Sequence, residues 1–159
     1  MGYTNYWQTK KLSEDQIPDG FWDDCEKALD KIIDSGVKIA DGQGEKLYKN
    51  GHEVINDTVM TDDKYPSICL NGYRNPDGED ESYETFDLVF DGVWNFCKTA
   101  REPYDIAVKC ILMLAQKYNL LANKSEDDIS GEDYWSFDGD EADSEYIDAQ
   151  NLLLQLQLI

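Results

Sequence analysis

The sequence predicts an α+β domain, in which two main helices and a C-terminal helix pack on a mostly antiparallel sheet. Two segments carry apolar residues at helical spacing, whereas residues 37–96 between them show short apolar runs separated by turn-forming residues. The chain has 159 residues, of which 41% are hydrophobic and 12% aromatic. A chain of that size buries roughly 70% of its unfolded surface. We therefore expect a single domain spanning residues 1–159.

The N-terminal part is predicted to form a strand followed by a helix. Residues 3–11 are rich in aromatic and β-branched types, and an extended chain there places Tyr3, Asn5 and Trp7 on one face. After Pro18, apolar residues recur at three- and four-residue steps, namely Phe21, Trp22, Cys25, Ala28, Leu29, Ile32 and Ile33. This periodicity predicts an amphipathic helix, and Gly36 is a typical terminator for it.

The central part is predicted to form strands. Asn50-Gly51 lies between two short apolar runs and predicts a hairpin, because the tight turn needs positive φ at both central positions. Residues 67–70 and 84–90 are further strand candidates. The loop at residues 75–82 holds four acids and Pro76, so we expect it to be exposed.

The C-terminal part is predicted to contain a strand and then a helix. A strand over residues 93–100 leads to Pro103, which suits the first turn of a helix that runs to about Tyr118. The Leu-rich end, residues 151–159, leaves two interpretations open. It is either a helix docked on the core or an exposed patch used for dimerisation.

The strongly negative net charge argues against nucleic acid as a direct partner. The chain has 34 Asp and Glu against 14 Lys and Arg, a formal charge of −20 at pH 7. Direct nucleic-acid binding is disfavoured, since phosphate contacts need clustered basic residues. No apolar run is long enough for a membrane span, and the N-terminus is not a secretory signal, so a cytoplasmic protein is expected. Residues 126–148 hold eleven acids and no Lys or Arg, and form an acidic segment.

Signatures of metal binding and catalysis are weak. The four cysteines form no CxxC pair, so buried reduced thiols are expected and no metal or cofactor is implied. The single histidine, His52, lies in the predicted turn. Cys97 has basic neighbours but no histidine that the sequence fixes beside it. The run at residues 138–143 fails the calcium-loop template, because Ala142 occupies a ligand position.

The most pointed local feature is the passage from the strand into the helix at residues 94–105. In a regular strand Asn95, Cys97, Thr99 and Arg101 share one face. A helix N-terminus beside Thr99, Arg101 and Lys98 would make a compact anion site. The competing interpretation is that Arg101 pairs with Glu102, Asp105 or another of the 34 acids, and that Thr99 or Glu102 caps the helix.

The aromatic residues close to the N-terminus are a second candidate element of a ligand site. Tyr3, Tyr6 and Trp7 could stack on a nucleobase, although such residues are more often part of the core. Combined with the strand-to-helix passage, the candidate ligand-binding residues are Tyr3, Tyr6, Trp7, Asn95, Lys98, Thr99, Arg101 and Tyr104.

Three segments carry a resemblance to a known group of proteins. Residues 1–7 (MGYTNYW), 83–86 (YETF) and 96–105 (FCKTAREPYD) resemble a family of small uncharacterised bacteriophage and prophage proteins, and residues 137–140 look like its SDGD stretch. Members of that family usually have His where this chain has Asn5 and Tyr83, and Lys where it has Glu102. The resemblance implies a phage origin and a role outside virion assembly, in the host bacterial cytoplasm.

Together these features lead to three functional hypotheses. The first is a non-enzymatic counter-defence protein that sequesters a small anionic nucleotide immune signal, with the aromatic start on the base and Lys98, Thr99 and Arg101 on phosphate. The second is an acidic DNA mimic that occupies the basic groove of a host protein through residues 77–91 and 126–148. The third is a nucleotide-degrading enzyme that uses the same pocket.

Overall fold

The computed structural model describes residues 3–56, 65–122, 135–138 and 143–159, and these have the predicted α+β architecture. Within those ranges there are four helices: α1 (Asp19–Asp34), α2 (Gly51–Asn56), α3 (Asp105–Lys117) and α4 (Ser144–Gln155). The strands are β1 (Thr4–Gln8), β2 (Ile39–Ala40), β3 (Ser67–Gly72), β4 (Phe86–Val89), β5 (Trp94–Lys98) and β6 (Trp135–Phe137). Most of the acidic segment at residues 126–148 lies outside the described residues.

Antiparallel pairing is confirmed and is divided between two three-stranded sheets. One sheet has the order β5-β1-β6 and the other has the order β2-β3-β4. In the first, Asn5 of the central strand lies opposite Cys97 on one side and Phe137 on the other. The N-terminal and C-terminal parts of the chain therefore meet in one sheet.

The core lies between the two long helices and the sheets. Helix α1 contacts α2 and α3, and α3 also contacts α4 and β1. The apolar stripe of α1 is buried as predicted, and its Phe21 ring meets Phe90 edge-on at 5.9 Å between centroids. Ten of the thirteen residues of α3 are buried, which makes it the central helix of the domain.

The predicted hairpin at Asn50-Gly51 is wrong, because these residues begin helix α2. The side-chain oxygen of Asn50 accepts a hydrogen bond from the backbone N–H of Glu53 at 2.9 Å. The Glu53 carboxylate accepts in return from Lys49 N at 2.9 Å. This reciprocal pattern caps a helix. Gly51 is needed for packing: a Cβ there would lie 2.3 Å from the carbonyl oxygen of Glu26 in α1.

The C-terminal segment is docked on the core. Ala149 and Leu153 of α4 are buried, as is Leu158 beyond it, whereas Leu154 is 52% exposed. The Lys117 ammonium group binds the carbonyl oxygen of Leu158 and so ties the end of α3 to the C-terminus. No helix among the described residues is long and apolar enough to cross a membrane.

Candidate functional site

Residues 3–7, 83–86 and 96–105, on which the expected resemblance depends, are far apart in sequence and come together in space. The Thr99 N–H donates to the carbonyl oxygen of Tyr3 at 2.8 Å. The Lys98 N–H donates to the Glu84 carboxylate at 2.8 Å, and the Tyr104 hydroxyl donates to the Glu84 carbonyl oxygen at 2.6 Å. Residues 3–7, 83–86 and 96–105 therefore form one continuous region of the molecule.

The centre of this region is a buried polar cluster, formed by Asn5, Thr99, Asp105 and Lys109. The Lys109 ammonium donates to Asn5 Oδ1 and to Asp105 Oδ2, both at 2.9 Å. The Asn5 amide and the Thr99 hydroxyl each donate to Asp105 Oδ1 at 2.8 Å. All four residues are at most 1% exposed. The Asp105 carboxylate thus has three donors in the interior, which is the condition for keeping a buried charge.

Two aromatic rings complete the surroundings of Lys109. Its Nζ lies 4.2 Å from the ring centroid of Tyr3 and 4.6 Å from that of Phe137. Burial lowers the pKa of Lys109, and the Asp105 carboxylate opposes that change. The ion pair, amide and rings together replace water around the ammonium group, so we assign the polar cluster a structural role.

The expected polar face of β5 is turned inward. Cys97 and Thr99 are fully buried, and Asn95 is half-buried with its amide 3.5 Å from the carbonyl oxygen of Asp87. Ala100 and Arg101 take positive φ angles of 52° and 59°, which breaks the alternation of the strand. Arg101 is therefore separated from the face that it was expected to share.

The positive charge of Arg101 is neutralised by salt bridges to acidic residues. Its guanidinium binds Glu145 at 2.9 Å and lies 3.6 Å from Asp143, on the N-terminal turn of α4. Its Cζ is 4.3 Å from the ring centroid of Tyr3. The hydrogen bond to Glu145 raises the pKa of Arg101. This arrangement agrees with the competing interpretation, in which Arg101 pairs with acidic residues of the chain.

The other predicted ligand-binding residues are divided between the interior and the surface. Tyr3, Trp7 and Tyr104 are buried, and the Trp7 ring meets Phe86 at 5.2 Å. Tyr6 and Lys98 point to the outward face of the sheet instead. The predicted residues thus share a region of the fold, but the described structure divides them between its interior and the outward face of the sheet.

The thiol of Cys97 is not activated in this setting. Burial raises the pKa of Cys97 to about 12, so the nucleophilic thiolate is disfavoured. All four cysteines are free; Cys25, Cys97 and Cys110 are buried as expected, whereas Cys69 is partly exposed. Within the described ranges, no group of three or more His, Cys, Asp or Glu residues is placed to hold a metal ion. His52 pairs with Glu26 at 2.6 Å on the surface between α1 and α2.

A cleft of about 520 Å³ opens next to the 83–86 segment. It lies between the turn at residues 41–45 and the ends of β3 and β4. Its lining is polar and consists of Gly42, Gln43, Glu45, Asn71, Arg74, Asp80, Ser82, Tyr83 and Thr85. Arg74 is exposed, and the Tyr83 side chain is 51% exposed. The cleft therefore combines one cation, one accessible ring and several hydrogen-bonding groups.

Asn71 holds the floor of the cleft together. Its side-chain amide donates to the carbonyl oxygens of Gly42 and Tyr83, at 3.2 and 3.1 Å. Its Oδ1 accepts from the backbone N–H groups of Gly72 and Tyr83, at 2.7 and 3.0 Å. A single buried amide thus fixes the strand β3, the 41–45 turn and the backbone of Tyr83 relative to one another.

Two glycines allow the chain segments on either side of the cleft to pack closely against each other. Gly44 has φ of +75° in the 41–45 turn, and a Cβ there would meet the Arg74 side chain at 2.8 Å. A Cβ on Gly72 would lie 1.9 Å from the carbonyl oxygen of Glu81. The Arg74 N–H donates to the Gly44 carbonyl oxygen at 2.8 Å, which places its guanidinium beside the turn.

The cleft also carries carboxylates. The Asp80 carboxylate accepts from the backbone N–H and hydroxyl of Ser82, and these hydrogen bonds lower the pKa of Asp80. Glu45 lies on the turn, where Asp41 Oδ1 accepts from its N–H at 3.0 Å. An ionised acceptor and a cation on the same cleft suit a ligand that has both hydroxyl groups and a negative charge.

Sequence reasoning did not select the cleft residues Gln43, Asn71 and Arg74. The available signal was the Asp41-Gly42-Gln43-Gly44 run, whose glycines are typical of a tight turn. That signal locates a turn but not the strand end that it faces. The contact between residues 41–45 and residues 71–74 arises only through the pairing of β2 with β3.

Comparisons with known proteins give no further assignment. No family model matches the chain, and neither a curated protein nor a solved structure matches it. The functional interpretation therefore depends on the residues of the cleft and of the surrounding surface.

Proposed function

We propose that this chain sequesters a small nucleotide-type ligand with few phosphates, and that the cleft beside Arg74 and Tyr83 is its binding site. In the phage setting that the sequence resemblance implies, it would act as a counter-defence protein that removes a nucleotide immune signal without turning it over. The observation that carries the proposal is the pairing of an exposed ring with an exposed guanidinium on one cleft.

The size of the cleft is suited to such a ligand. Its volume of about 520 Å³ falls in the range of roughly 300–1,000 Å³ that small-molecule sites occupy. The cleft is fixed by Asn71 and the 41–45 turn, so little ordering is needed on binding. This volume can accommodate a nucleoside with one or two phosphates.

The lining offers a partner for each part of a nucleotide. The Tyr83 ring can stack on a base, a contact worth roughly 1–3 kcal/mol. The Arg74 guanidinium can take two phosphate oxygens through its parallel N–H groups. The Asp80 and Glu45 carboxylates can accept hydrogen bonds from ribose hydroxyls, as acidic residues do in dinucleotide-binding folds.

The charge around the cleft limits the number of phosphates. Burial together with the nearby carboxylates of Glu81, Glu79 and Asp80 raises the pKa of Glu102. One guanidinium faces this acidic rim on a chain of charge −20. We therefore expect a monophosphate, a cyclic nucleotide or an ADP-ribose-type compound to bind better than a triphosphate.

Calorimetric titration with matched arginine variants tests the proposal. The probes are AMP, 3′,5′-cyclic AMP, ADP-ribose and ATP. Arg74→Ala and Tyr83→Ala are each expected to weaken binding of the best probe by about tenfold or more. Arg101→Ala removes the same charge at the polar cluster and is expected to leave binding unchanged. Binding that survives Arg74→Ala, or that only Arg101→Ala removes, contradicts the assignment to the cleft.

Turnover separates sequestration from the enzymatic alternative. The probe is incubated in molar excess over the protein, and it should be recovered intact by chromatography of the denatured mixture. Product that accumulates beyond one equivalent of protein would instead make the same cleft an active site.

A further inference from the structure

A second surface of the molecule presents exposed aromatic rings on the outward face of the β5-β1-β6 sheet. We call Tyr6, Trp94 and Phe96 the aromatic row. The Trp94 ring lies 6.1 Å from that of Tyr6, nearly parallel, and 5.6 Å from that of Phe96. Trp94 is 50% and Phe96 41% exposed, and Val93 next to them is 59% exposed. Adjacent exposed rings of this kind mark a contact surface more often than isolated apolar residues do.

The strand register places these rings together. Tyr6 lies opposite Phe96, and Gln8 lies opposite Trp94, so alternate residues of β1 and β5 share the outward face. The inward face of the same two strands carries Asn5 and Cys97, which are fully buried. The rings cannot turn inward, because that side is filled by the polar cluster and by α3.

The edge of β5 that faces away from β1 is blocked against the addition of another strand. The Phe96 N–H donates to Asn95 Oδ1 at 2.8 Å, so it is not available as a donor to a neighbouring strand. The Lys98 N–H donates to the Glu84 carboxylate at 2.8 Å, and the Glu84 N–H donates to the Lys98 carbonyl oxygen at 3.2 Å. Side chains and a loop thus protect this edge against strand addition, so a partner must use the exposed face.

Carboxylates surround the aromatic row. The Tyr6 hydroxyl donates to Asp138 at 3.1 Å, and Asp91 accepts from the backbone N–H of Val93 at 3.0 Å. Glu84 lies beside Lys98 at the opposite end of β5. These three carboxylates outnumber the two nearby lysines, Lys98 and Lys11, the second of which forms a β-bridge with Asp91, on a chain of charge −20. This surface is complementary to a basic partner and repels a nucleic-acid strand, although the rings alone would suit either.

We propose that the aromatic row docks a basic protein segment, whose arginine side chains stack on the rings while the surrounding carboxylates bind their guanidinium groups. A planar guanidinium stacks on an aromatic face and binds a carboxylate through two N–H groups, whereas a lysine ammonium is a hydrated point charge. Aromatic residues at the centre of an interface with charges at its rim are the usual anchors of such contacts. The proposal does not depend on ligand binding in the cleft.

Titration with synthetic peptides tests the docking. The probes are a twelve-residue peptide of alternating Arg and Gly and its Lys-Gly counterpart, at low and physiological salt. We expect the arginine peptide to bind more tightly than the lysine peptide. It should shift the indole N–H signal of Trp94 most in the NMR spectrum, since Trp7 and Trp135 are buried and Trp22 packs against Phe21 and Phe90. The Trp94→Ser/Phe96→Ser pair should weaken binding by about tenfold or more.

Two matched controls separate docking from general attraction to an acidic protein. Leu154→Ser removes an exposed apolar residue elsewhere and should leave binding unchanged. Asp91→Asn/Asp138→Asn should weaken binding more than Asp77→Asn/Glu79→Gln, although both pairs change the net charge equally. Arg74→Ala should bind the peptide normally, which keeps this test independent of the cleft.

Several results would overturn the proposal. Equal binding of the two peptides, or equal effects of the two acid pairs, would reduce the interaction to nonspecific attraction. Tighter binding of a single-stranded oligonucleotide than of the arginine peptide would assign the aromatic row to nucleic acid. Dimerisation that the Trp94→Ser/Phe96→Ser pair abolishes would assign it to a second copy of the chain.

Discussion

The two faces of the β1-β5 pair depart in part from the usual relation between polarity and exposure. The inner face carries Asn5 and Thr99, which are buried with Asp105 and Lys109. The outer face carries Trp94 and Phe96, which are about half exposed. The difference shows that a polar residue can be interior where its hydrogen bonds are complete. Rings stay exposed where nothing in the described chain covers them.

The two arginines of the chain differ in how far neighbouring acidic residues neutralise them. Arg101 lies beside the polar cluster, where Glu145 and Asp143 neutralise it. Arg74 lies on the cleft, where its backbone is fixed by Gly44 and its side chain is exposed. Both side chains are exposed, so a basic residue in an acidic protein indicates a ligand site only where salt bridges do not already hold its guanidinium.

The largest effect is expected from breaking the buried ion pair of the inner face. Asp105→Ala leaves Lys109 charged and unpaired in the interior, which costs about 3–5 kcal/mol of unfolding free energy. Asp105→Leu/Lys109→Met removes both charges and should cost less than Asp105→Ala alone. Urea denaturation measures all three free energies. A double variant that is less stable than Asp105→Ala would show that the charges themselves stabilise the fold.

A smaller effect is expected from removing one donor of the polar cluster. Thr99→Val keeps the side-chain shape but removes the hydrogen bond to Asp105 Oδ1, which should cost about 1–3 kcal/mol. Thr85→Val removes a hydroxyl that donates to the Gly42 carbonyl oxygen at an exposed position, and is expected to cost less. Equal losses of unfolding free energy in the two variants would mean that burial does not strengthen the hydrogen bond of Thr99.

Alkaline pH should lower the free energy of unfolding through the ionisation of Cys97. Burial raises the pKa of this thiol from 9.0 to about 12 in the folded chain. The corresponding stability is present below pH 9 and is lost as the pH rises toward 12, because only the unfolded thiol then ionises. The stability difference between wild type and Cys97→Ala should therefore shrink by about 1.4 kcal/mol between pH 8 and pH 10. A difference that stays constant over this interval would mean that the folded thiol ionises normally.

The smallest effect on stability is expected on the outer face. Trp94→Ser loses only the ring contacts with Tyr6 and Phe96, so it should cost less than about 1 kcal/mol of unfolding free energy. Thermal and urea unfolding of the single variant measure this directly. A loss of several kcal/mol would make the aromatic row part of the structural core and would weaken the case for a docking surface.

Sequence reasoning placed most elements correctly but misinterpreted one signal. The periodicity of residues 21–33 predicted α1, and the run at residues 67–70 predicted β3. Asn50-Gly51 is ambiguous, because Asn suits both a hairpin turn and a helix N-cap. Glu53, three residues after Asn50, is the capping signal that distinguishes the two.

The candidate site could be predicted only in part. Strand alternation correctly grouped Asn95 with Cys97, but it could not tell which face of β5 is buried. That choice depends on Asp105 and Lys109, which α3 brings under the strand. The cleft depends in turn on Asn71 joining segments from residues 42 and 83. Local patterns do not contain either pairing.

The sequence by itself determined the α+β class, the helices with strong periodicity and the net charge of −20. Only the tertiary structure decided which polar residues are interior, which arginine is neutralised and which rings stay exposed. The physical reason is the distance along the chain between interacting groups. Asn5 and Asp105 share a hydrogen bond across 100 positions, and Arg101 and Glu145 share one across 44.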